Sequence, residues 1–205
     1  MSWFDRLSNK RRSNPGVHFA NTVELEWDGH FWSGDIVLPS WAGFQECLGP
    51  YSTPASAGPS DGKAHLSIRS PTDADDTISP PSKGQESAFV FLQQNDELMR
   101  DKVVQAIFNA YPQMRENAAD FFGDKLEEKM PRLQSPSDLK PMMGLSTVHI
   151  GDVEKDGLTY VGFEFACNWE EEHGLGVMTH KDRIVEVGDA ETAFDAWRLR
   201  RGEIG

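Results

Sequence analysis

Alternating apolar and polar residues mark three strands in the first third of the chain. Residues 21–27 carry apolar side chains at every second position, which predicts a strand with one buried face. The pair Asp28-Gly29 and a second apolar stretch over residues 31–38 follow. Because Asp-Gly suits a type I′ turn, in which both central residues have positive φ, these segments predict a hairpin. Residues 63–69 alternate again and predict a third strand.

The middle of the chain changes to the period of a helix. Apolar residues recur at helical spacing over residues 85–110. Asn95 is followed by two acidic residues and has the character of a helix N-cap, so we expect two helical segments that break there. Pro112 suits the first turn of a helix, where its missing N–H costs little, and predicts a further helix that runs through Leu126.

Residues 143–196 hold the densest set of strand and turn signals. An Asp156-Gly157 pair marks one turn, and residues 180–183 mark another. Residues 169–176 predict a loop between two strands. The four strands predicted in this region cover residues 144–150, 158–165, 175–179 and 184–187. A short terminal helix is predicted over residues 190–199, with Ala193, Phe194 and Trp197 facing inward.

The order of these elements indicates the fold class. Strands come first, helices interrupt them, and strands return with tight turns between them, which is typical of an α+β domain. We expect a mainly antiparallel sheet built from hairpins, with an inserted helical segment and a short C-terminal helix. The early hairpin and the C-terminal hairpins are expected to share one sheet. The chain divides into a basic N-terminal tail (1–16), a single α+β domain (17–199) and a C-terminal tail (200–205).

Charge is distributed unevenly along the chain, and this distribution indicates which classes of partner the protein can bind. The formal net charge is −13, but residues 13–197 hold 13 basic and 31 acidic side chains, a net charge of −18. Such a body repels phosphate backbones, so we expect no nucleic-acid partner and favour a basic protein partner. No apolar run approaches the roughly 20 residues that span a bilayer, and no apolar core follows the basic N-terminus, so we expect a cytoplasmic protein without membrane contact.

One acidic loop is the first candidate for function. Residues 169–173 are Trp169, Glu170, Glu171, Glu172 and His173, and three carboxylates beside an imidazole are possible metal ligands. Consecutive residues of a strand point to opposite faces, however, and the chain contains no HxH or HExxH spacing. An exposed acidic turn and a surface that recognises a partner are the alternatives. The candidate partner-binding residues are these five together with His180 and Trp41.

No residues show the spacing of a covalent catalytic site, and no cofactor is expected. Ser146 is not part of a GxSxG turn, and Gly174-Leu175-Gly176 lacks the helix start of a phosphate-binding loop. A binding module is therefore favoured over an enzyme. The alternative function is a metal-dependent hydrolase that uses Glu170 and His173, with His180 or His149 as a further ligand.

The same region carries a resemblance to a known family. The string WEEEHGLGV at residues 169–177, followed by HKDRIVEVG at residues 180–188, resembles an uncharacterised bacterial family with a domain of unknown function. Residues 38–44 and 85–92 resemble it as well, so the likeness extends over residues 20–197. The resemblance implies no reaction and no catalytic residue. Because some members occur beside toxin–immunity genes, it implies an immunity-type protein that neutralises a basic partner.

Overall fold

The computed structural model describes residues 16–46, 58–70 and 79–205, with the side chains of residues 171–173 excepted. The predicted N-terminal tail lies almost entirely outside these residues, and the predicted domain boundaries stay a prediction. No helix in the described part of the chain is both long enough and apolar enough to cross a membrane.

In the described part of the chain, eight strands form one sheet in which each strand lies beside its neighbours in the sequence. All neighbouring pairs are antiparallel except β4 and β5, which are parallel. The α+β class and the single shared sheet are thus confirmed. The strands are β1 Gly16–Phe19, β2 Val23–Trp27, β3 Phe31–Val37, β4 Lys63–Arg69, β5 Met143–Lys155, β6 Leu158–Cys167, β7 Glu170–His180 and β8 Arg183–Asp189.

The helices lie mainly between β4 and β5. They are α1 Lys83–Gln94, α2 Asp96–Asn117, α3 Ala119–Phe122 and α4 Leu126–Lys129, and α5 Ala196–Arg200 follows the last strand. The long connection through α1 and α2 returns the chain in its original direction, because a parallel pair needs a crossover rather than a hairpin. Hairpin signals in the sequence could not predict this pairing.

The two Asp-Gly pairs form different turns. At Asp156 and Gly157 the φ angles are 51° and 79°, so both residues are left-handed, as a type I′ turn requires. At Asp28 the φ angle is not positive, and the Asp28 carboxylate accepts hydrogen bonds from the N–H groups of His30 and Phe31, both at 2.8 Å. The predicted type I′ geometry was wrong there, because this side chain closes a longer turn.

The helix start predicted at Asn95 is right in position but not in detail. Helix α2 begins at the next residue, yet the Asn95 side chain makes no capping bond and donates instead to the carbonyl of Phe91 at 2.8 Å. A helix starting at Pro112 was wrong, because α2 continues through that residue. A proline inside a helix costs about 3 kcal/mol. Its cost is offset by packing of the buried α2 side chains Met99, Val103, Val104, Ile107 and Tyr111.

The two faces of the sheet are covered differently. Helices α1 and α2 pack on one face and enclose the main core, which includes Phe89, Val103 and Phe163. On the other face, the C-terminal segment covers a smaller cluster formed by Tyr160, Met178 and Leu199. The predicted terminal helix is divided into a 3-10 turn, Ala190–Ala193, and the five-residue helix α5.

The inward face of this C-terminal segment differs from the prediction. Ala193 is buried as expected, but Phe194 and Trp197 are 39% and 59% exposed, whereas Ala196 and Leu199 are buried. The change of helix type near residue 194 rotates the later residues relative to the earlier ones. The prediction applied one helical period to the whole of residues 190–199, and it therefore assigned Phe194 and Trp197 wrongly to the face that contacts the sheet.

Two glycines allow the C-terminal segment to lie directly on the sheet. A Cβ atom at Gly162 would overlap the carbonyl of Ala193, and a Cβ atom at Gly176 would overlap the carbonyl of Asp189. In both cases the obstruction is backbone, which cannot turn aside as a flexible side chain does. The close approach of these elements therefore requires glycine in β6 and β7.

We predict that Gly162→Ala lowers the free energy of unfolding by about 3 kcal/mol, because the added methyl group must displace the turn above it. Urea denaturation followed by circular dichroism measures the change. Gly16→Ala is the matched control, since its Cβ would lie 3.8 Å from the nearest atom, an ordinary contact. Equal stability of the two variants would contradict the close approach.

Candidate functional site

A wide groove lies between the helices and one end of the sheet. Its volume is about 1160 Å³. One wall is formed by the last turns of α2 with α3 and α4, and the other by the turn after β6 with the adjacent parts of β7 and β8. Side chains that line it include Met114, Ala118, Phe121, Phe122, Trp169, Glu170, Leu175 and Val187.

Trp169 forms the floor of the groove. Together with Asn168 it makes the turn between β6 and β7, and the Asn168 N–H donates to the carbonyl of Met142 at 2.9 Å. The indole is only 8% exposed and packs edge-on against Tyr111 of α2, with ring centroids 5.3 Å apart. This contact fixes the distance between the helical wall and the sheet wall.

The predicted loop at residues 169–176 was largely wrong. Strand β7 begins at Glu170, so only Asn168 and Trp169 form a turn. The pairing of β6 with β7 is irregular here, because Cys167 faces Glu170 while Phe165 already faces Leu175. The acidic stretch therefore lies within a strand that has an irregular pairing, which the side-chain pattern alone did not reveal.

The helical wall presents an exposed aromatic ring. Phe121 is 85% exposed, more than any other large apolar side chain of the described residues. It lies edge-on to Phe122, at 5.0 Å between centroids, and Phe122 packs against the main core. The helix breaks after this pair, because Gly123 adopts a φ angle of 51°. The break leaves Phe121 at the mouth of the groove.

Two polar contacts hold the helical wall in place. The Arg115 guanidinium donates to the Glu127 carboxylate at 2.6 Å and to the Met130 carbonyl at 2.7 Å, which joins α2 to α4. Earlier in α2, the Lys102 ammonium donates to Asp182 in the turn between β7 and β8 at 2.6 Å. That hydrogen bond lowers the pKa of Asp182. The first contact therefore ties the groove wall together, and the second ties the earlier part of α2 to the sheet.

The segments that border the groove are strongly acidic. Residues 113–130, 168–176 and 187–191 contain ten acidic and three basic residues. One of the three basic residues, Arg115, is already neutralised by Glu127. Carboxylates in such excess create a negative potential around the apolar surface and favour a positively charged ligand.

The structure brings together only part of the predicted set. Trp169 and Glu170 line the groove, and residues 171–173 follow them in β7, with side chains outside the described part. His180 is buried elsewhere, with Nε2 2.9 Å from the Lys155 carbonyl and its ring 4.8 Å from that of Tyr160. Trp41 is buried in the main core against Phe163 and Phe165, so its indole is not available to a partner in this conformation.

The described ligands of the alternative metal site are not gathered. Among the described side chains, which exclude those of residues 171–173, no group of three His, Cys, Asp or Glu could hold a metal ion. His149 is engaged by Glu164, with Nε2 and Oε2 2.7 Å apart, on the sheet face away from α1 and α2. The imidazole of His173 lies outside the described side chains. No described contact supports a hydrolytic centre.

Sequence reasoning missed the helical wall of the groove. The helical period assigns one of the two adjacent phenylalanines, Phe121 and Phe122, to an inward face, and Phe122 takes that role. The two adjacent phenylalanines were the available signal. Neighbouring residues of a helix do not share one face, and the helix ends at Gly123 directly after them, so only one of the two rings can pack inward. A helix end with one surplus aromatic residue predicts an exposed ring.

Comparison with known proteins places the groove within a family. A family model described as a domain of unknown function (DUF6985) matches residues 60–194, and the chain belongs to this family. The matched range includes all described residues of the groove. Searches of curated proteins and of solved structures gave no match.

We predict that Tyr111, which packs against the groove floor, makes the free energy of unfolding fall at alkaline pH. Burial raises the pKa of its phenol, whose usual value is about 10, because the phenolate is poorly solvated there. A raised pKa in the folded state means that the stabilisation is complete below about pH 10 and declines above it. Tyr111→Phe removes a hydrogen bond to the Pro131 carbonyl and should cost about 1 kcal/mol at neutral pH.

That cost should shrink as the pH rises above about 10, since the variant has no phenol to ionise at this position. Urea denaturation of both proteins between about pH 8 and pH 11 measures the difference. A constant difference over this range would contradict the assignment.

Proposed function

We propose that this member of the DUF6985 family is a binding module whose groove holds a basic segment of a partner protein with apolar anchor residues. The observation that carries the proposal is the exposed Phe121 ring in a groove bordered by an excess of carboxylates. The groove volume of about 1160 Å³ exceeds the range of roughly 300–1,000 Å³ for small-molecule pockets. Its size therefore suits a polypeptide segment better than a metabolite.

Apolar burial would supply most of the affinity. Phe121 and the half-buried Met114 and Ala118 form an apolar surface, and Phe122 supports Phe121 from the core side. Exposed aromatic residues that are covered on binding commonly dominate interface energies. A leucine or an aromatic side chain of the partner would pack between Phe121 and the Trp169 floor.

The acidic border would supply selectivity and speed. Opposite charges accelerate the encounter of two proteins, and this effect weakens as salt shortens the range of the field to roughly 10 Å at 0.1 M. Acidic or uncharged segments would be rejected by the same carboxylates. A cationic toxin is one partner of this class, so the immunity role that the family resemblance implied is a specific form of the proposal. The expected cytoplasmic location remains a prediction.

A designed peptide tests the groove. We expect a fluorescent amphipathic peptide of about 18 residues, built from Lys and Leu, to bind with micromolar affinity and to bind more weakly in high salt. Phe121→Ser should weaken binding about tenfold, equivalent to about 1.4 kcal/mol. Because Phe121 is exposed, the substitution should change the free energy of unfolding by less than about 0.5 kcal/mol. Fluorescence anisotropy measures the affinity.

Two controls determine whether the groove is responsible. Trp197→Ser removes another exposed aromatic residue, on α5 and outside the groove, and should leave affinity unchanged. A peptide with Glu in place of Lys should not bind. An equal loss of affinity in the two protein variants, or equal binding of the two peptides, would overturn the proposal.

A further inference from the structure

A second, smaller cavity lies on the other face of the sheet. It is placed beside the end of β4 and the middle of β5, under the C-terminal segment, and has a volume of about 20 Å³. About 10–15 Å³ is enough for a water-sized group, so the enclosed part has room for one or two oxygen atoms. Most of its wall is apolar and includes Met178, Phe194 and Leu199. Its polar side chains are Ser67, Arg69 and His149.

Arg69 is unusual among the arginines of this acidic protein. Four described arginines are half-buried, and the other three, Arg100, Arg115 and Arg198, form ion pairs at 2.6–3.8 Å. Arg69 has no carboxylate partner among the residues that the structure describes. Its guanidinium lies 5.6 Å from the centroid of the Phe31 ring, which orients it without neutralising its charge. A half-buried cation without a counter-ion favours an anionic ligand.

Ser67 supplies a second hydrogen-bond donor. The residue is 7% exposed and faces the cavity, and its hydroxyl makes no hydrogen bond within the described part of the chain. The hydroxyl can therefore donate to a ligand in the cavity. Ser67 and Arg69 are two residues apart in β4, so both side chains project from the same face of the sheet.

The backbone around these side chains is held rigidly. The Gln85 side chain is buried, and its Nε2 donates to the carbonyls of Arg69 at 2.7 Å and of Gly151 at 3.0 Å. This bridge joins the end of β4 to β5 from the α1 side. On the cavity side, Glu164 fixes the His149 ring, which lies 5.0 Å from the Phe194 ring. The donors are therefore positioned before any ligand arrives.

We propose that this cavity binds the carboxylate group of a small molecule with a short apolar body. The Arg69 guanidinium would donate two parallel hydrogen bonds to the carboxylate oxygens, and the Ser67 hydroxyl would donate to one of them. Phe194, which is 39% exposed, would contact the apolar body outside the enclosed part. A phosphate dianion fits less well, because the apolar walls would leave its additional charge and oxygen atoms without partners. The site is separate from the groove and independent of its function.

A titration of the whole chain followed by ¹H–¹⁵N NMR tests the site. Sodium butyrate should give saturable shifts of the amide signals of residues 67–69 and 149–151, with a millimolar Kd. Arg69→Gln should raise that Kd at least about tenfold, the loss expected for a charged hydrogen-bonded pair. Arg183→Gln is the matched control, because Arg183 is exposed, is the first residue of β8, and has no ion pair among the described residues. It should leave the Kd unchanged.

Inorganic phosphate, titrated in the same way, should bind at least about tenfold more weakly than butyrate. Shifts of the wild-type protein that do not saturate, or that fall outside these two segments, would overturn the proposal whether or not the variants fold. Equal binding of phosphate would overturn the assignment to carboxylates, and equal effects of the two arginine variants would overturn the role of Arg69.

Discussion

The parallel pairing of β4 with β5 is the constraint on which the rest of the structure depends. It joins the β1–β4 strands to the β5–β8 strands in one sheet, and it forces the intervening chain to cross over through α1 and α2. Gln85, at the start of α1, fixes this junction by bonding to the carbonyls of Arg69 and Gly151. Because the crossover places both long helices on one face, the other face is left to the short C-terminal segment.

Both candidate sites follow from this arrangement. Helix α2 runs past the end of the sheet, and its last turns with α3 and α4 form the wall that faces β7 and β8 across the groove. On the opposite face, the C-terminal segment descends far enough to enclose a cavity because Gly162 and Gly176 carry no side chain. The first site is large and acidic at its border. The second is small and contains an arginine that has no carboxylate partner among the described residues, so the two proposals call for ligands of opposite charge.

The acidic stretch at residues 169–173 shows that a local sequence pattern can indicate a kind of chemistry without giving the positions of the side chains in space. Three glutamates beside a histidine indicate either a metal site or a charged surface, and the spacing of strand residues argues against full convergence. The structure adds that Trp169 is the floor of a groove and that Glu170 begins a strand. Neither His180 nor Trp41 joins them, because each packs in a different cluster.

The sequence by itself determined the elements that depend on neighbouring residues. Alternation located β2, β3 and β4, the Asp156-Gly157 pair located a hairpin, and Asn95 with the two acidic residues after it located the break between the helices, because each signal acts within a few residues. Only the tertiary structure decided the parallel pairing, the continuation of α2 through Pro112, which of Phe121 and Phe122 is exposed, and the lack of a carboxylate partner for Arg69 among the described residues. These features arise from contacts between segments far apart in the chain, and such contacts outweigh local preference wherever they bury more apolar surface or satisfy more backbone groups.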